Sequence, residues 1–207
     1  MVNEIREIGI EKEIFLFNSD DKVMEPKLYG FPRDEFEFLV ELRSLPSDRL
    51  YPILTTLQQE ELQYRLRANK FGMRLVDTPV KLAEYDWVDN HWNKYNLSRF
   101  EDYTKNIYGT DKSHHFGLSN AGDYIALTAG IHVHFSSRNS ETGEVIDLPI
   151  EKIVKKMDNE FIDEVSHNHR IKGEWESKAH GFEYRSLPCN VDVYEVLKKG
   201  FEILRAV

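Results

Sequence analysis

Ionisable side chains occupy alternate positions in three runs of otherwise apolar residues. They are Glu11 and Glu13 in GIEKEIFLF, His132 and His134 in AGIHVHFSS, and Glu183 and Arg185 in FEYRSLP. A fourth run, FEFLVELRSLP, adds Glu37, Glu41 and Arg43. In a β-strand residues i and i+2 face the same way, so each run sets its ionisable groups on one side and its apolar residues on the other. Taken singly, each pair has an ordinary explanation. Paired acids are common on solvated strands, a His-x-His can be a satisfied core pair or a transition-metal pair, and Glu-x-Arg can be a ladder of ion pairs. Their joint occurrence points further. Carboxylates buried side by side without counter-ions have raised pKa values and destabilise a fold, and Mg²⁺ or Mn²⁺, which favour oxygen ligands, relieve that repulsion. Strands of this kind placed together would form a face that holds divalent metal ions and phosphates.

The elements that must position these groups follow from periodicity. Residues 4–17 read as a strand with Ile8, Ile10, Ile14 and Leu16 on one face and Glu7, Gly9, Glu11 and Glu13 on the other. A second strand is expected at about 34–44, where Phe36, Phe38, Val40 and Leu42 alternate with Glu35, Glu37, Leu39, Glu41 and Arg43. Pro46 and the N-cap candidate Ser47 open a helix to about Asn69, striped by Leu50, Ile53, Leu54, Leu57, Leu62 and Leu66 and stopped by Gly72. MRLVDTPV is a short strand, YIALTAGIHVHFSS a longer one, and NSETG a turn. A helix over 149–169, a strand over 180–187 and a last helix from about Val191 complete the chain. Residues 81–123 are aromatic and polar without a clean period, which suggests a lid or substrate loop. Strands with one polar face predict an α+β fold. It would be a mainly antiparallel sheet with helices packed on one face and a polar, metal-binding face on the other, forming one domain over 1–207.

Composition narrows the function classes. The 207 residues carry a formal charge of −9 and no basic block, which disfavours a nucleic-acid partner. No run approaches the length of a membrane span, and the acidic N-terminus lacks the apolar core of a signal peptide, so neither a membrane partner nor export is expected. The single cysteine, Cys189, excludes an internal disulfide and fits a reducing compartment, the cytoplasm, or a host's cytoplasm if the chain is viral. Cys189 reads as an inert thiol, and His91, His114, His115, His167 and His169 lack the strand framing of His132 and His134. The sequence contains no GxxxxGK[ST], GxGxxG or GxSxG, so P-loop, Rossmann and α/β-hydrolase readings lack their main signal.

At these residues the chain resembles the glutamine synthetase and glutamate–cysteine ligase superfamily, and most of all its short phage-type carboxylate–amine ligases. GIEKEIFLF resembles the E-x-E strand that opens the metal site in those enzymes, and DEFEFLVELRSLP an acidic strand in which Asp34 precedes Glu41 by seven residues. AGIHVHFSS resembles the strand G-x-H-x-H-x-S, and FEYRSLPCN the late E-x-R strand. The four motifs come in the same order and span positions 9–190. The resemblance implies that Glu11, Glu13, Asp34, Glu41, His132 and Glu183 are metal ligands. It implies that His134, Ser136 and Arg185 contact the nucleotide, and that Arg185, Glu183 and Glu41 serve the reaction. Asp34 lies on the opposite parity from Glu41, so it reaches such a site only from a bulge or from before the strand.

The activity so implied is an ATP- and Mg²⁺- (or Mn²⁺-) dependent ligation of a small-molecule or peptide carboxylate to an amine through an acyl-phosphate. The alternatives are a guanidino-type phosphotransferase, which stops at phosphoryl transfer, a Zn²⁺ metallohydrolase built on His-x-His, and a non-catalytic protein that keeps the fold.

Overall fold

The computed structural model describes residues 4–32, 38–84, 124–167 and 172–207. Asp34, Glu37, His91, His114, His115 and His169 lie outside these residues, as does 85–123, most of the expected lid region. The fold is α+β and is organised by β1 (Glu4–Phe17). β2 (Leu39–Arg43) and β6 (Gly130–Asn139) flank β1, and β8 (Gly181–Pro188) and then β7 (Trp175–Lys178) extend the sheet beyond β6. β3 (Arg74–Val76) pairs with the end of β1, and every pairing in the sheet is antiparallel.

Alternation then decides what each face meets. Ile8, Ile10, Ile14, Val133, Phe135 and Tyr184 join one core with residues of α1 (Leu50–Lys70), α2 (Ile150–Glu160), α3 (Ile162–His167) and α4 (Val193–Arg205). Burial of these aliphatic and aromatic side chains is the main stabilising term, roughly 1.5–3 kcal/mol for each large one. Close approach matters at Gly200 in α4, where an added Cβ would come within 3.0 Å of Ile8 Cδ1. Lys12 lies at the apolar phase of β1 and ends in an ion pair with Asp77 at 3.3 Å. The opposite face is only partly polar. A second sheet, β4 (Val80–Glu84) with β5 (Tyr124–Thr128), brings Ala83 and Leu127 against Phe15, Phe17 and Leu39, with Cys189 buried among them.

Several local expectations change. Ser47 does not cap α1. Its backbone bridges to Ile8, and Arg49 is the N-cap without a side-chain bond. Leu62 and Leu66 stay 59% and 56% exposed, off the helix-side core. The run YIALTAGIHVHFSS divides at Ala129, whose N–H bonds Pro79 O and whose carbonyl accepts from Cys189, so β5 and β6 enter different sheets. The expected helix over 149–169 breaks at Phe161, which leaves helical geometry (φ −119°) with its side chain buried. Residues 81–84, expected to open the irregular stretch, belong to β4. β7 was not anticipated, because its four residues are largely exposed and show no alternation. Among the described residues no helix is long and apolar enough to cross a membrane.

Candidate metal centre

Register aligns the polar residues of four strands. Glu11 pairs with Arg43 on β2 and with His132 on β6, and Glu13 pairs with Glu41. His134 pairs with Gly9 on one side and with Glu183 on the other. The β6–β8 ladder is irregular opposite His132: Val133 faces Tyr184, but Ile131 faces Leu187, so β8 carries one extra residue. This bulge lets Glu183 and Arg185 face the site while Leu187 returns to the helix-side core.

The carboxylates and imidazole converge. Glu183, His132, Glu41 and Glu13 are 1%, 3%, 4% and 5% exposed. His132 Nδ1 lies 2.8 Å from Glu183 Oε1 and 4.0 Å from Glu11 Oε2. Among the described residues, Glu11, His132 and Glu183 offer ligand atoms that all lie within 4.8 Å of one another. An octahedral ion with bonds of about 2.1 Å holds neighbouring ligands about 3 Å apart and opposite ones about 4.2 Å apart. The donor set fits such an ion. A second observation supports the fit: Glu183 Oε1 is buried without a hydrogen-bond partner of good geometry, although His132 Nδ1 and Arg185 Nη1 lie 2.8 and 3.2 Å from it.

The surrounding groups orient and balance this set. His132 Nε2 points towards Glu13 Oε1 at 3.5 Å, while Glu13 Oε2 accepts the Gly130 N–H at 2.6 Å. A carboxylate behind a ligating imidazole fixes its orientation and raises its basicity. Glu41 Oε1 is 2.6 Å from Arg43 Nε, which also approaches Glu11 Oε1 at 3.4 Å. Arg185 Nη1 lies 2.9 Å from Glu176 Oε2 and 3.2 Å from Glu183 Oε1. Lys178 Nζ lies 2.7 Å from Glu183 Oε2 and 3.0 Å from Glu176 Oε2. His134 Nε2 is 3.3 Å from Glu11 Oε2, and its Nδ1 is 3.3 Å from His180 Nε2.

Titration behaviour follows from these contacts. Burial pushes the Glu11 carboxyl up, but the His134 imidazole, then His132 and Arg43, bring it down to about 2. Burial likewise opposes ionisation of Glu183, yet His132, Arg185 and Lys178 hold it well below the usual carboxylate range. Glu41 moves the other way. Burial raises it, Arg43 only partly offsets that, and the charge of Glu11 adds to the rise. His132 is pushed down by burial and by Arg185, but Glu13 and Glu183 outweigh both and leave it above its ordinary value. The acids are thus faced by the Lys178 ammonium, the Arg43 and Arg185 guanidinium groups and the His132 imidazole, whose protonated form Glu13 and Glu183 favour.

Beside the centre opens a cleft of about 550 Å³, lined among others by Glu11, Arg43, His134, Ser136, Arg138 and His180. Gly9 lines it too, where a Cβ would stand 3.7 Å from His134 Cβ and 3.8 Å from Pro46 Cβ. Of the residues expected at the site, Glu11, His132 and Glu183 come close enough together to hold one ion. Glu13, Glu41, His134 and Arg185 adjoin them, Ser136 lies along the cleft opposite Glu7, and Asp34 is outside the described residues. Lys178, Glu176 and His180 were missed. Glu176 and Lys178 lie in the stretch WESKA just before the expected strand, too polar to read as a strand of its own, and His180 falls at that strand's first position. The sequence matches no protein-family model and no curated protein.

Proposed function

We propose that this protein is an ATP-dependent carboxylate–amine ligase that forms an amide or peptide-type bond through an acyl-phosphate. The observation that carries the reading is the convergence of Glu11, His132 and Glu183 on a sheet face beside a cleft of about 550 Å³. Hydroxide is a poor leaving group, so a carboxylate does not condense with an amine in water. Transfer of the γ-phosphoryl group creates a good one. The carboxylate oxygen attacks the γ-phosphorus, ADP leaves, the amine attacks the acyl carbon, and inorganic phosphate departs. Divalent ions such as Mg²⁺ or Mn²⁺ would neutralise the phosphate oxygens during the first step.

In this reading Glu11, His132 and Glu183 hold one ion, and Glu13 and Glu41, opposite each other in register, are the carboxylates for another. Glu13 also keeps the His132 ring turned towards the ligand set. His134, Ser136 and Arg43 line the cleft where the nucleotide would lie, and Arg185, held by Glu176 and Glu183 beside the ligand set, would stabilise the transferred phosphoryl group. Two carboxylates with a single imidazole favour Mg²⁺ or Mn²⁺ over the nitrogen-rich set expected of a Zn²⁺ hydrolase.

The test is a coupled assay of ADP release with Mg²⁺ across pools of carboxylates and amines. Release that requires both an acid and an amine is the expected result. Release with a guanidino acceptor alone would identify a phosphotransferase, and failure to bind nucleotide at all would leave a non-catalytic role.

A further inference from the structure

Glu183 is the most buried acid of the centre, and its two oxygens face different cations. Oε1 is met by His132 and Arg185, both anchored within the sheet, whereas Oε2 is met by Lys178 at 2.7 Å. Lys178 differs from the others in its mounting. It ends β7, which among the described residues pairs only with β8, and its side chain is 30% exposed. Its cross-strand partner is Gly181, which has no side chain to compete for the space, so the lysine reaches diagonally to Glu183. Gly181 is fixed there by its backbone, at φ +148° with a Cβ position only 2.1 Å from Phe135 O. The adjacent pairing sets Glu176 directly opposite Glu183, a like-charge pair that the ammonium bridges.

We propose that Lys178 is a tethered counter-ion of the metal centre, holding Glu183 Oε2 until a divalent cation takes that carboxylate and so setting how tightly the centre binds its ion. The inference rests on Glu11, His132 and Glu183 being a metal centre. An ion at those donors supplies the positive charge that Glu183 needs when buried, and it repels the ammonium a few ångströms away. Lys178 then keeps Glu176, which is half exposed, as its remaining partner. The stem is free to make that change because it is anchored at a hairpin end rather than inside the sheet. Loading is therefore an exchange of one cation for another, and part of the ion's binding energy is spent on displacing the lysine.

Mn²⁺ titration of the full chain by calorimetry, comparing wild type with Lys178→Met, tests this directly. The expected result is about tenfold tighter binding in the variant, the scale of one partly exposed ion pair plus the relieved repulsion. In EDTA the same variant should melt below wild type, and with saturating Mn²⁺ the gap should close. Lys178→Gln, which keeps a polar tip, serves in the same comparison if the Met variant does not fold without metal. Unchanged or weaker Mn²⁺ binding in a folded variant overturns the role of Lys178. Absence of saturable binding in wild type, Lys178→Met and Glu183→Gln alike overturns the metal centre, and this proposal with it.

Discussion

Replacing Glu183 by Gln in metal-free protein should destabilise the fold, although the change removes one acid from a cluster of acids. Carboxylates considered alone repel, and from the sequence their removal would be expected to relieve strain. The structure reverses that sign at Glu183. Its oxygens lie 2.8 Å from His132 Nδ1, 3.2 Å from Arg185 Nη1 and 2.7 Å from Lys178 Nζ, and the side chain is 1% exposed. Glutamine keeps an oxygen to accept hydrogen bonds but withdraws the charge that three cations surround. We expect a loss of about 2–3 kcal/mol, somewhat below the roughly 3–5 kcal/mol for removing one partner of a buried ion pair. For a chain of this size that is a fall of about 4–12 °C in melting temperature. The pH dependence has a fixed sign. The folded-state pKa of Glu183 lies below its ordinary value of 4.5, so its contribution is complete above that value and is lost as pH falls through the folded-state pKa. The gap between wild type and variant should therefore be full at neutral pH and narrow under acid. Glu41→Gln is the internal control, because burial and the Glu11 charge raise the Glu41 carboxyl and make its ionised form costly. That variant should keep or raise the melting temperature. Thermal melts by circular dichroism in EDTA read both. An unchanged or higher melting temperature for Glu183→Gln would show that the surrounding cations do not hold this acid, and the account of the centre's charge balance would fail.

Three further outcomes are expected. His132 has a folded-state pKa above 6.5, so the stability it lends is complete below 6.5 and is lost as pH rises through the folded-state value; melts in EDTA should fall over that range, less so with Mg²⁺, and a flat metal-free profile would contradict the assignment. Gly181→Ala should cost about 3 kcal/mol or more, because its Cβ would lie 2.1 Å from Phe135 O at a φ of +148°; a melt within a degree of wild type would show that the β6–β8 pairing is misplaced. Arg185→Lys should raise the barrier to phosphoryl transfer by about 2–4 kcal/mol while changing ATP affinity far less, because lysine keeps the charge but not the planar fork. Single-turnover rates beside nucleotide titrations check it, and an unchanged rate removes Arg185 from the reaction.

What the sequence revealed and what it hid divide along physical lines. β1 was legible to its ends, because period-2 alternation over 14 residues leaves one way to bury Ile8, Ile10, Ile14 and Leu16. The same alternation placed Glu11, His132 and Glu183 at the polar phase of their strands. It could not give their neighbours across the sheet, since pairing order is a tertiary property. The bulge opposite His132 was invisible for a related reason: an extra residue in β8 shows only against the register of β6. Lys178 was hidden because β7 is a largely exposed edge strand that leaves no hydrophobic pattern, and His180 because it sits in the turn between β7 and β8. The Lys178 ammonium changes the chemistry most, because it lies 2.7 Å from Glu183 and helps turn a repulsive acidic cluster into a balanced one. Leu62 and Leu66 misled in the opposite sense. They keep helical spacing with Leu57, but their own side chains remain exposed.

The most direct measurement of the central claim is anomalous diffraction at the manganese edge from crystals grown with Mn²⁺ and a non-hydrolysable ATP analogue. The account predicts a peak bonded to Glu11, His132 and Glu183, with the analogue's phosphates against it and its body in the cleft lined by His134 and Ser136. Lys178 should then have left Glu183 Oε2. A peak elsewhere, or a nucleotide bound away from this face with Lys178 still on Glu183, would contradict the account.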